Sequence, residues 1–153
     1  MVRAYIEEFL RQKRLAVVGV SRNPRDFSRG MLAEFRRRGY DPVAVTPHAR
    51  ELDGQPCFAR VQDIEPPVTA ALLMTRPELT DQLVRECAAV GIKRVWVYGI
   101  SGRGAVSPAL AEFCAKEAIE LVPGFCPHMF FAQAGFFHRL HAFFMKLLGS
   151  YPA

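Results

Sequence analysis

Short unbroken apolar runs alternate along this chain with longer stretches whose apolar residues recur at helical spacing. Residues 15–20, Leu-Ala-Val-Val-Gly-Val, form the first run. A run of that length predicts a parallel strand covered on both faces. A polar turn with Asn23-Pro24 follows over 21–26. Ser28 is placed to cap a helix through about residue 38, with Met31, Leu32 and Phe35 on one face and Gly39 closing it. Further strands are predicted over 42–46, 69–74, 93–98 and 119–122. Further helices are predicted over 77–90, from Pro77 to the closing Gly91, and over 108–118, opened by Pro108. Residues 48–67 read as a longer crossover with a turn at Asp53-Gly54. Residues 1–10 carry Glu7 and Glu8 and read as an amphipathic helix, not a secretory signal.

This alternation predicts an α/β fold, Rossmann-like and doubly wound, with a mainly parallel five-stranded sheet. A C-terminal aromatic-rich helix is expected over about 130–148. A length of 153 residues suits one domain, with its core over about 12–122 and a helical extension over 123–153.

Half of the residues are hydrophobic, which excludes a disordered chain. The long apolar stretch 125–148 is interrupted by Pro127, Gln133, Gly135, His138, Arg139, His141 and Lys146, so no membrane span is expected. A cytoplasmic protein is expected. Cys57, Cys87, Cys114 and Cys126 form no CxxC pair and read as free thiols. The formal charge is +5, and the early region is rich in arginine. No nucleic-acid-binding motif accompanies that charge, and no nucleic-acid partner is expected. A small phosphorylated ligand needs only a few of these arginines, and Arg36 to Arg38 read as a solvated helix face.

In doubly wound sheets ligands bind beyond the carboxyl ends of the strands. After the first strand come Gly19, Val20, Ser21 and Arg22. A glycine permits a sharp turn, Ser21 supplies a hydroxyl, and the helix behind offers unpaired amides and its positive end; together these suit phosphate. Arg22, Arg25 and Arg29 add charge-assisted donors. There is no G-x-G-x-x-G, because the next glycine is Gly30, and the second strand ends in Val45-Thr46-Pro47 instead of an acid. That disfavours NAD. Thr46, followed by His48 and Arg50, suits a phosphorylated ribose, which leaves NADP open and fits coenzyme A.

The runs Ala16-Val17-Val18-Gly19-Val20-Ser21-Arg22-Asn23-Pro24, Val43-Ala44-Val45-Thr46-Pro47 and Gly54-Gln55-Pro56 resemble the bacterial CoA-binding protein family. That family is similar to the N-terminal CoA-binding domain of the succinyl-CoA synthetase α subunit. The likeness continues through Arg76-Pro77-Glu78 and Gly91-Ile92-Lys93-Arg94-Val95-Trp96, about residues 12–122 in all. The resemblance implies a fold that holds coenzyme A, or an acyl-CoA, by its nucleotide end. It implies that Gly19, Val20, Ser21 and Arg22 meet the phosphates, and that Thr46, Pro47 and Arg50 sit near the adenosine. Met74, Thr75 and Arg76 would wall the adenine side, and Gly99, Ile100 and Ser101 the outlet for the pantetheine arm. No counterpart of the synthetase's phosphohistidine domain is expected here. No Ser-His-Asp set or paired carboxylates stand in a plausible site. The reading is a carrier, a sensor or one part of a larger assembly. The alternatives are an NADP-binding reductase or nucleotide-sensing regulator, and an interaction protein with a vestigial pocket.

Val122 to Met129 resembles the segment Gly-Pro-Asn-Cys-Pro-Gly of the synthetase domain, which makes Cys126 a candidate thiol near the ligand. His128, His138 and His141 match no standard zinc spacing with Cys126, and no metal is expected. Phe130, Phe131, Phe136, Phe137, Phe143 and Phe144 come in adjacent pairs that one helix face cannot hide. The surplus predicts a homodimer through the C-terminal helix. A membrane-surface contact helped by Arg139 and Lys146 is the lesser reading.

Overall fold

The computed structural model describes residues 1–99, 106–131, 143–147 and 149. Helix α1 (Val2–Arg11) leads into β1 (Arg14–Val18), α2 (Phe27–Arg37) and β2 (Asp41–Val45). The crossover expected over 48–67 holds two further strands, β3 (Glu51–Leu52) and β4 (Gln55–Phe58). Asp53 and Gly54 both take positive φ, 52° and 73°, which is what a two-residue hairpin turn of matching twist requires. Then follow β5 (Ala70–Leu73), a 3-10 turn (Pro77–Leu79) running into α3 (Thr80–Ala89), β6 (Arg94–Tyr98), α4 (Pro108–Lys116) and β7 (Glu120–Phe125). Ser107 caps α4 by accepting from the Leu110 amide at 3.1 Å.

Among the described residues the sheet has seven strands in the order β3-β4-β2-β1-β5-β6-β7, not the five expected. Only the β3–β4 pair is antiparallel. The fold class is as expected: α/β, Rossmann-like, with helices on both faces. β4 escapes the hydrophobic pattern because its residues are only partly covered, yet Cys57 and Phe58 pair in parallel with Ala44 and Val45. β7 runs past the expected end at 122 through Pro123 and Gly124 to Phe125.

Side chains alternate between the two faces. Leu15, Val17, Leu72, Trp96 and Val122 meet Ile6 and Phe9 of α1 and Met31, Leu32 and Phe35 of α2. Ala16, Val18, Leu73, Val95 and Val97 meet Val84 and Cys87 of α3 and Leu110 and Cys114 of α4. Right-handed crossovers require this arrangement: α2 and α3 leave the sheet centre in opposite directions, so they cover opposite faces.

Phe9 meets Trp96 edge-on at 5.3 Å, and the Trp96 indole N–H donates to the Phe125 carbonyl at 2.9 Å. Phe130 and Phe131 lie in a turn after the 3-10 turn Pro127–Met129, not at the start of the expected helix. Phe131 is buried against Phe35 at 5.2 Å, with the Arg38 guanidinium 4.3 Å from its ring centre. Arg37 and Arg38 both pair with Glu34, so one carboxylate offsets part of that basic face. Residues 143–147 are helical, and Met145 packs into the first face while Phe143, Phe144 and Leu147 are exposed. The remainder of the expected helix lies outside the described residues, Phe136, Phe137, His138, Arg139 and His141 included. Among the described residues no helix is long and apolar enough to cross a membrane.

Helix α1 is thus part of the core. Replacing Phe9 by Ala removes a fully covered ring and its contact with Trp96, and we expect a loss of about 3–5 kcal/mol in urea unfolding. A loss below 1 kcal/mol, roughly the cost of a surface change, would mean that α1 is dispensable.

Candidate functional site

The strand order reverses direction at β1, which has β2 on one side and β5 on the other. Gly19 sits at the end of β1 with φ +92°. Its amide donates to the Val45 carbonyl at 2.9 Å. A Cβ there would lie 2.7 Å from Thr75 Cγ2 and 2.8 Å from the Met74 carbonyl oxygen. The sequence led us to expect that this glycine makes room for a ligand. Its tight approach is instead to the end of the neighbouring strand.

The loop behind it is held by its own side chains. Asp26, not Ser28, caps α2: its carboxylate accepts from the Ser28 amide at 2.9 Å and from the Ser28 hydroxyl at 2.5 Å. The Ser28 oxygen in turn accepts from the Ser21 amide at 2.9 Å, and the Asn23 amide donates to the Ser21 hydroxyl at 3.1 Å. The Ser28 hydroxyl, and after it the Ser28 amide, hold the Asp26 carboxyl below its ordinary pKa of 3.8. A carboxylate therefore already occupies the positive end of α2, and that end is not the open anion site expected from the sequence. The Ser21 amide is taken up as well, while its hydroxyl accepts from Asn23 and keeps its own proton to donate. Among the described residues, the amides of Val20 and Arg22 carry no hydrogen bond; Val20 is buried and Arg22 exposed.

Arg29 does not face a ligand either. It is buried; its guanidinium donates to the Ser21 and Arg22 carbonyls at 3.4 and 3.0 Å and pairs with Asp53 at 2.6 Å. It clamps the loop to the β3–β4 turn. Arg22 and Arg25 are exposed and are the cations left beside the loop.

A cavity of about 280 Å³ opens at these strand ends on the face covered by α3. Val18 of β1 with Gly19 after it, Val45 of β2 with Pro47 beyond it, and Thr75 after β5 form one side. Ala59, Arg60 and Val61 after β4, with Leu79, Gln82, Leu83 and Glu86 at and within α3, form the other. The buried Thr75 hydroxyl has no hydrogen-bond partner among the described residues. Gln82 donates to Glu86 at 2.7 Å. The lining is an apolar slot with a few polar groups at its edge, which suits a planar base. It holds no nucleophile paired with a base. A larger cavity of about 470 Å³ lies against β7 between the start of α1 and α4. It includes none of the expected site residues and stands away from the switch point, so we favour the smaller one.

Of the residues expected at the site, Gly19, Pro47 and Thr75 line this cavity. Met74 and Thr75 were expected on one side, but strand alternation sends Met74 to the core of the opposite face. Thr46 is buried; its amide donates to the Phe58 carbonyl at 2.8 Å, and its hydroxyl accepts from the His48 amide at 3.3 Å. Arg50 and Arg76 are exposed. Gly99 packs against β7, where a Cβ would lie 2.6 Å from the Gly124 Cα. Ile100 and Ser101 lie outside the described residues. The sequence reading missed the α3 residues, although Leu79, Leu83 and Glu86 follow helical spacing after a strand end. Ala59 to Val61 were hidden because β4 itself was not foreseen.

Cys126 is buried within the first-face core, and burial pushes its thiol pKa up. A covered thiol with a raised pKa is a weak nucleophile, and the structure gives Cys126 a place in the core. All four cysteines are free. Among the described residues no three His, Cys, Asp or Glu side chains converge as a metal site, and His138 and His141 lie outside them.

The Asp26 cap gives a pH signature. Its carboxyl is held below 3.8, so its stabilisation is present above that pH and is lost as the pH falls through the folded-state pKa. Asp26→Ala is expected to cost about 1 kcal/mol at neutral pH. The gap to the parent should shrink in urea titrations run below 3.8. A gap that stays constant with pH would remove the cap from the account.

Comparison with known proteins agrees with this fold. A conserved hypothetical protein from Pyrococcus furiosus is 25% identical, with 74% of this chain and 92% of that one covered and a TM-score of 0.64. A hypothetical protein from Pyrococcus horikoshii OT3 is 24% identical, with 83% and 87% covered and a TM-score of 0.71. The dinucleotide-forming acetyl-coenzyme A synthetase 1 of Ca. Korarchaeum cryptofilum is 23% identical over 69% of this chain and 24% of that one, with a TM-score of 0.55. These share the fold. The CoA binding domain family matches residues 13–131, the segment that carries β1 to β7 and the switch-point cavity, and the chain belongs to that family.

Proposed function

We propose that the chain binds coenzyme A, or an acyl-CoA, through its nucleotide end, and that it acts as a non-catalytic carrier or sensor or as one part of a larger assembly. The observation that carries this reading is the cavity at the β1/β5 switch point, beside the unpaired Val20 and Arg22 amides. A base fits the apolar slot, and phosphates meet the two amides together with the exposed Arg22 and Arg25. Gly19, Val20, Arg22, Pro47 and Thr75 are the contacts this reading retains from the sequence. The four unpaired thiols fit a reducing cytoplasm.

Thermal-shift screening with CoA, acetyl-CoA, NAD and NADP tests it. At about 100 times the dissociation constant, CoA should raise the melting temperature by roughly 5–10 °C. A shift with NADP and none with either CoA compound would replace this reading with the reductase or nucleotide-sensor alternative. No shift with any of the four would favour an interaction protein.

A homodimer through the C-terminal segment belongs to the same proposal, supported by the exposed Phe143, Phe144 and Leu147. Light scattering at micromolar concentration should give twice the 17.2 kDa chain mass. A monomeric mass would count against it.

A further inference from the structure

The face opposite the cavity carries an aromatic group, partly packed on the core, that the nucleotide end does not use. Phe27 is the first residue of α2, directly after the cap that closes the phosphate loop. The other large apolar residues of that helix, Met31, Leu32 and Phe35, are fully buried, but Phe27 is 47% exposed. Its ring centre lies 5.4 Å from that of Tyr98, the last residue of β6, and 6.0 Å from that of His128. Met74, half-buried at the end of β5, packs on the same face. The Tyr98 hydroxyl makes no hydrogen bond among the described residues. Burial raises the Tyr98 pKa, with a smaller push from Cys126, so the phenol stays protonated and can donate.

The location is the second half of the argument. This conclusion rests on the coenzyme A reading above. With the base in the cavity on the α3 face and the phosphates at the loop, the pantetheine arm leaves across the end of β5. β6 lies two strands beyond β1, about 10 Å at ordinary strand spacing. An apolar ring beside one unpaired hydroxyl donor at that point matches a carbonyl followed by a hydrocarbon. A free thiol offers the hydroxyl only a weak acceptor.

We propose that Tyr98 and Phe27 form a subsite for the acyl end of a CoA thioester, with Tyr98 donating to the thioester carbonyl and Phe27 packing on an apolar acyl chain. The chain is then a reader of acyl-CoA in preference to free CoA. His128 backs the Phe27 ring and is itself set edge-on to Phe131 at 5.8 Å.

Calorimetric titration of the full chain with CoA, acetyl-CoA and hexanoyl-CoA tests the subsite. Acetyl-CoA should bind about fivefold more tightly than CoA, the worth of one hydrogen bond. Hexanoyl-CoA should gain about a further tenfold from its added methylenes. Tyr98→Phe should bring acetyl-CoA to the level of CoA, and Phe27→Ala should bring hexanoyl-CoA to the level of acetyl-CoA. Phe27→Leu keeps an apolar contact and should retain most of the chain-length gain. CoA itself should bind all variants within about twofold of the parent, since an exposed ring and one hydroxyl add little to the fold. Equal affinity for the three ligands, or variants that weaken all three alike, would overturn the subsite and leave the coenzyme A reading standing. Failure of all three to bind would overturn both.

Discussion

The site depends on how close β1 and β5 can come where their chains part. The helices that follow them cover opposite faces, so a crevice must open at the strand ends. Gly19 sets its width. Its backbone is pinned to Val45 on one side and has no room for a Cβ against Met74 and Thr75 on the other. Any side chain there would force β1 and β5 apart and displace the loop that follows. The glycine therefore acts through the sheet, and the crevice is its consequence.

The same crevice faces two chemistries. On the α3 side, Val18, Val45 and Leu83 form an apolar slot, with Thr75, Gln82 and Glu86 at its edge. On the α2 side, Phe27, Tyr98 and His128 form an aromatic cluster. Period-two alternation creates the difference, since adjacent residues such as Met74 and Thr75 leave the strand on opposite sides. A ligand that crosses the sheet edge meets a base-sized slot at one end and an aromatic wall at the other.

Between them lies a loop that is largely satisfied by itself. Asp26 and Ser28 take the donors that an anion would otherwise claim, and Arg29 holds two loop carbonyls while pairing with Asp53. Asp53 is mostly exposed, so the pair adds little Coulomb energy; its effect is to tie the loop to the hairpin. Arg29 thereby fixes the Ser21 and Arg22 peptide groups beside the exposed Arg22 and Arg25 side chains. A loop ordered before ligand arrives has little entropy left to lose on binding.

Much of this was determined by the sequence alone. The apolar runs of β1, β2, β5, β6 and β7, and the glycines that close α2 and α3, follow from local periodicity and backbone freedom, so the class and the location of the loop were readable. Tertiary structure decided the rest. β4 gains its place only by pairing with β2, a contact that its own residues do not announce. The choice of Asp26 over Ser28 as cap, the turning of Arg29 inward and the burial of Cys126 each depend on what stands opposite in space. Strand ends tell where a ligand goes because chain direction is local, whereas which side chains face it depends on packing between segments far apart in sequence.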